Sequence, residues 1–225
     1  MRGEITRHNI GKASDAGFRL AFVIVCLLVL ILIGVYLLNG RDETEPSEWY
    51  DAVNAMRSLQ WYYDQALALA RAWQPDAALY WMTLSIHPPA SNLPPDRTLA
   101  FFSPSDLSGI FRITFRGNKT STEKVSQPVP ADAVPIDISA LGFDDKDAFH
   151  LAHSNGGGSY VDQFKGAVIT LTLRRLHPGG SGPVWWTVRY ADPDWRYRDV
   201  FAIHAVSREM LHFSNEQDYY AWGSD

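Results

Sequence analysis

Residues 20–38 read LAFVIVCLLVLILIGVYLL, an apolar run without a single charge. As a helix rising about 1.5 Å per residue, it reaches about 28 Å, which matches a hydrocarbon core about 30 Å thick. This run constrains the chain more than any other feature, because it predicts one transmembrane helix. A cleaved signal peptide has a shorter apolar stretch followed by small residues at the cleavage site, whereas this run ends in LLNGRDE. An uncleaved anchor is therefore expected. The one cysteine, Cys26, follows Val23, Ile24 and Val25 and lacks the small residues that precede a lipidated cysteine. Small residues suited to tight helix packing are few, namely Ala21, Cys26 and Gly34.

Charge sets the expected orientation. Residues 1–19 carry Arg2, Arg7, Lys12 and Arg19 against Glu4 and Asp15, while the far side opens with Arg41, Asp42, Glu43, Glu45 and Glu48. Positive charge stays inside, so the N-terminus is expected in the cytoplasm and the rest in the periplasm or outside the cell. Of 20 basic and 25 acidic residues, 4 and 2 precede the anchor, so the outer part carries 16 and 23, a net of −7. That balance argues against nucleic acid and anionic lipid surfaces as partners. The outer part has no cysteine, and hence no disulfide, no thiolate metal site and no C-x-x-C-H haem attachment. Composition is that of a folded protein, 46% hydrophobic and 20% charged.

Beyond the anchor, the spacing predicts an α+β fold of two similar halves, each a helix followed by an antiparallel meander. In the first, residues 46–117, Ser47 is the expected N-cap of one long amphipathic helix. Trp49, Val53, Met56, Leu59, Tyr63, Ala66, Ala70 and Trp73 recur at three- and four-residue steps along it. Strands ALYWMTLSI, RTLAFF and GIFRITF follow, separated by Pro- and Ser-rich turns. Residues 118–135 are polar and Pro-rich and read as a linker or strap. The second half, residues 136–213, opens with Asp144 as N-cap of a short helix that ends at Asn155 and Gly156, followed by a flexible GGGS. Three alternating strands then place Ile169, Leu171 and Leu173, then Val184, Trp186, Val188 and Tyr190, then Phe201, Ile203 and Ala205 on one face. Residues 214–225 form an aromatic tail.

Pro183, Val184 and Trp185, followed by HAVSREML from His204 to Leu211, resemble the closing signature of bacterial PepSY-like extracytoplasmic domains. That signature has the form P-x-W-x-V, then D-A-x-T-G-E-V-L. The resemblance spans residues 137–213, with a weaker copy from Tyr50 to Phe115. His204 stands where the family has Asp, and Arg208 where it has Gly. The resemblance implies a module that works by contact, in some members by restraining a peptidase.

Residues suited to catalysis are sparse. His150 and His153 share a helical face at i, i+3 with Asp144, Asp145 and Asp147 nearby, but no adjacent glutamate accompanies them and spacing fixes no third ligand, so a solvated face is expected rather than a metal site. His204 is expected at a sheet edge or facing water. Ser159 and Ser181 follow glycines without the G-x-S-x-G elbow and read as turn serines. No phosphate-cradling glycine motif occurs. No enzyme, cofactor or metal site is therefore expected. The expected contact residues are Trp185, Trp195, Tyr197, Tyr219 and Trp222, since aromatic side chains dominate interface hot spots. Adjacent Trp185 and Trp186 must face opposite sides of a strand, so one needs cover from outside the sheet. For the tail the competing reading is that it folds back over its own domain.

Three functions follow. The first is a non-catalytic accessory subunit or adaptor on a membrane assembly, such as a respiratory or photosynthetic electron-transfer complex. The second is a PepSY-like regulator of an extracytoplasmic peptidase or signalling protein. The third is an unrecognised hydrolase or ligand-binding protein.

Overall fold

The computed structural model describes residues 48–176, 182–192, 194 and 198–222. The expected anchor, residues 20–38, and the N-cap Ser47 lie outside them. Among the described residues no helix is long and apolar enough to cross a membrane.

The helical periodicity from Trp49 to Trp73 is real but serves two helices, α1 (Glu48–Asn54) and α2 (Leu59–Trp73). The single long helix expected from the spacing is interrupted because Ser58 takes an extended backbone and accepts a hydrogen bond from the Trp61 N–H at 3.3 Å, starting a new helix. Val53, Leu59, Ala66 and Ala70 are still all buried, so the apolar stripe continues across the break.

Four strands follow: β1 (Ala78–Ile86), β2 (Asp96–Ser103), β3 (Asp106–Arg116) and β4 (Lys119–Val125). β4 occupies the start of the expected linker. Its side chains are exposed throughout except for the half-buried Val125, and an edge strand open to water on both faces shows no apolar alternation. The second half repeats the order with α3 (Asp145–Ala152), α4 (Gly158–Gln163), β5 (Val168–Arg175), β6 (Val184–Ala191), β7 (Arg198–His204) and β8 (Met210–Phe213). The tail folds into α5 (Glu216–Trp222).

All eight strands join one antiparallel sheet in the order β4-β3-β2-β1-β5-β6-β7-β8. Each half therefore runs outward in chain order from a central seam, where Met82, Thr83 and Leu84 of β1 pair with Leu173, Thr172 and Leu171 of β5. The expectation of two meanders becomes one continuous α+β sheet of two four-stranded halves.

α2 packs against β2 and β3, and α3 packs against β6, all on one face. That face supplies the main core, which includes Leu84, Phe101, Ile113, Leu171, Trp186, Val188 and Phe201. On the opposite face, Val129 and Ala133 of the chain after β4 pack with Ala100, Phe102 and Ile110. This strap is tied down where Ile136 donates to the Leu79 carbonyl at 2.9 Å and Arg175 donates to the carbonyls of Val134 and Pro135. α5 covers Val200, Ala202 and Trp185 on the second half. Between strap and α5 runs a row of hydroxyls across six strands: Ser121, Thr114, Thr98, Thr83, Thr172 and Thr187. Thr98 and Thr114 bond to each other at 2.8 Å.

Candidate functional site

A groove runs along α3, made of two adjoining depressions of about 300 and 280 Å³ that share Phe143 and Asp147. Leu59, Ile138, Leu141 and Leu151 join Phe143 as its apolar lining, with Ser58 and Gln60 of α2 at one end and His150, Ser154 and Arg208 at the other. The groove therefore runs from the helix of the first half to the β7–β8 turn of the second.

Local chemistry fixes its walls. Asp144 caps α3 by accepting from the Lys146 and Asp147 N–H groups, and Asp147 accepts in return from the Asp144 N–H. Lys146 donates to the carbonyls of Asn54 at 3.0 Å and Met56 at 2.5 Å, where α1 ends, so α3 is clamped to the first half. At the far rim Arg208 takes φ 64°, and its guanidinium lies 5.2 Å from the Phe143 ring centroid. The left-handed geometry that a glycine would supply is thus present at Arg208. His204 does at the same turn what an aspartate would do: its Nδ1 accepts from the Ser207 N–H at 3.1 Å and from the Ser207 hydroxyl at 3.0 Å. That places the lone pair on Nδ1 and the proton on Nε2.

Beneath α3 two buried features join the halves. Arg97 of β2 and Asp145 of α3 form an ion pair with almost no exposure, and Tyr62 lies 4.2 Å from the guanidinium. Burial pushes the Asp145 carboxyl up, and the positive charge of Arg97 opposes that shift. The expected histidine pair separates into two environments on either side of Tyr50. His150 stacks on the Tyr50 ring at 4.8 Å and bonds Asn54, whereas His153 is buried against Phe149. Burial lowers both imidazoles, more than the nearby aspartates raise them. Among the described residues no three potential ligands gather as a metal site.

The GGGS segment, expected to be flexible, is packed instead. Asn155 and Gly156 leave helical geometry, with Gly156 at φ 130°, and the chain re-enters a helix at Gly158. The kink lays Gly157 directly on Tyr190, where an added Cβ would sit 2.2–2.5 Å from the phenol ring and hydroxyl. Ser159 lies in the first turn of α4. Tyr190 is fully buried, and burial raises its phenol well above the usual value; Tyr160 beside it is pushed up to about 12, chiefly by desolvation and then by Asp192.

Of the expected contact residues, Trp195 and Tyr197 lie outside the described residues. Trp185 and Tyr219 are buried at 7% and 2% exposure, and Trp222 is half-buried. Trp222 meets Trp185 edge-on at 5.0 Å, so α5 provides the cover that Trp185 requires. The tail folds back on its own sheet, and these three side chains are spent on packing. The groove along α3 was not legible beforehand, because Leu141, Phe143 and Arg208 come together only when the β7–β8 turn closes against the segment before α3.

The fold defines an α+β protein built on one eight-stranded antiparallel sheet, with α2 and α3 on one face and α5 on the other. No protein-family model matches the chain, and no curated protein matches it. A solved structure, that of a presumed lipoprotein from Clostridium difficile 630, is similar over 66% of this chain and 89% of that chain, at 11% identity and a TM-score of 0.42.

Proposed function

We propose that this chain is a non-catalytic adaptor, held at the outer face of a cytoplasmic membrane by residues 20–38, that binds a segment of a partner protein in the groove along α3. The observation that carries this reading is the groove itself: an apolar floor at Phe143 and Leu141 between an acidic rim at Asp144 and Asp147 and a basic rim at Arg208. A floor of this kind gives an extended or helical segment apolar contact, and the charges set its direction. Arg208 supports the reading further, because a non-glycine residue held at positive φ stores strain that a purely structural turn would avoid. The partner class that suits a single-pass anchor with an outer domain is a larger membrane assembly, including respiratory or photosynthetic electron-transfer complexes.

A second reading, a regulator of an extracytoplasmic peptidase or signalling protein, is favoured by the turn at 204–208. There His204 and Arg208 adopt the hydrogen bonding and φ that Asp and Gly would give in a PepSY-like signature. The two readings share the groove and differ in the partner.

The test places a photo-cross-linking residue at Leu141 of the full chain in native membranes, with a second at Lys119 on the far sheet edge as control. A discrete adduct at Leu141, absent at Lys119 and weakened by Arg208→Glu, supports the adaptor reading, and the adduct's identity separates a complex subunit from a peptidase. No adduct, or equal adducts at both positions, overturns it.

A further inference from the structure

The face of the sheet opposite α2 and α3 holds a smaller concavity of about 70 Å³, between β5, β6 and α5. Each residue that lines it carries a hydrogen-bond donor on its side chain: Thr172, Arg174, Thr187, Arg189, Tyr219 and Tyr220. We propose that this pocket binds a small oxyanion of the size of phosphate or sulfate.

Two guanidiniums line the pocket, and among the described residues only Arg189 has a carboxylate partner, Glu216 at 3.1 Å. Glu216 also accepts from the Tyr220 hydroxyl at 3.0 Å, so its charge is held at the α5 side. Arg174 donates one N–H to the Tyr219 hydroxyl at 2.8 Å, a neutral partner, and a guanidinium carries five such donors in a planar fork that suits oxyanions. Tyr219 is itself fixed by Thr187 at 3.0 Å, which holds the phenol and the fork in one arrangement. The Thr172 hydroxyl oxygen, directly across from Thr187 on β5, is shut off from solvent and has no hydrogen-bond partner among the described residues. A hydroxyl in that position is costly unless something completes its bonding. The lining carries two positive charges against one negative rim charge, and the volume corresponds to about two waters in the liquid, which suits a tetrahedral oxyanion and is too small for a nucleotide. None of these residues belongs to the groove, so the proposal stands or falls apart from the adaptor reading.

The test uses the full chain in detergent micelles and follows its unfolding midpoint in sodium phosphate against sodium chloride at matched ionic strength. Binding to the folded state alone multiplies the folded-to-unfolded ratio about tenfold for each tenfold rise in phosphate above its dissociation constant. Arg174→Gln is expected to weaken binding about tenfold or more, and Thr172→Val to weaken it with less disturbance of α5. Arg112→Gln, on the same face but away from the pocket, should leave the response unchanged. O-phosphoserine in place of phosphate distinguishes a phosphoryl group on a partner from a free ion; a saturable response to either supports the site. Equal responses to phosphate and chloride, or an undiminished response in both pocket variants, overturns it.

Discussion

At the residue scale, three positions show how one side chain, or its absence, is dictated by its surroundings. Gly157 is needed for space, since its helical backbone would tolerate alanine but its contact with Tyr190 would not. Gly157→Ala is expected to destabilise the protein by about 1–3 kcal/mol or more through overpacking, measured by urea unfolding. Arg208 shows the reverse case, a side chain kept despite its φ of 64°. Arg208→Gly relieves about 1 kcal/mol of backbone strain and loses a cation–π contact of about 0.5 kcal/mol. It should therefore leave stability equal or slightly higher while lowering cross-linking from Leu141, an outcome that separates binding from folding. His153 carries a pH dependence whose sign follows from burial. Its folded pKa lies below the ordinary 6.5, so the unfolded chain takes up protons first as pH falls. Its stabilising effect is complete above about pH 6.5 and is lost as pH drops from there through the folded pKa. Unfolding midpoints measured from neutral to acidic pH should fall less steeply in His153→Gln than in the native chain.

At the element scale, α3 is the piece that ties one half to the other. Lys146 caps the end of α1, His150 stacks on Tyr50, and Asp145 reaches Arg97 on β2. Removing one partner of a buried ion pair strands the other charge, so Arg97→Met alone is expected to cost about 3–5 kcal/mol. The double variant Arg97→Met/Asp145→Leu should recover most of that loss, because two apolar side chains leave no charge to solvate. Chemical denaturation of the two single variants and the double gives the coupling directly. α5 plays the corresponding part on the other face. It is short, and Tyr219 and Trp222 hold it down on Trp185 and Phe213.

At the scale of the whole described structure, the seam β1–β5 decides how the halves behave. Five residue pairs join them in the middle of the sheet, and the cores under both meanders are continuous across it. A continuous sheet and shared core predict one cooperative unfolding transition rather than two. Tryptophan fluorescence reports both halves, through Trp73 and Trp81 in one and Trp185, Trp186 and Trp222 in the other. Its transition should coincide with that followed by circular dichroism; two separated transitions would show that the seam does not couple the halves.

Much of the fold was legible in the sequence because periodicity reports burial directly. The alternation of Ile169, Leu171 and Leu173 and of Trp186, Val188 and Tyr190 predicts the buried face, and all six are fully buried. The Asp144 cap and the stop at Asn155 and Gly156 are equally local. β4 was not legible, because an edge strand with nearly every side chain in water carries no apolar signal. Nor was the role of the glycines, since GGGS written alone means freedom and only the ring of Tyr190 turns it into a packing requirement. The tail residues Tyr219 and Trp222 are aromatic enough to serve a partner or their own domain, and only tertiary proximity to Trp185 decides for the domain. The sequence by itself determined which strand faces are buried and where α3 begins. Only the tertiary structure decided that two meanders share one sheet and that distant side chains meet in the groove and in the pocket, because contacts between residues far apart in the chain leave no periodic trace in it.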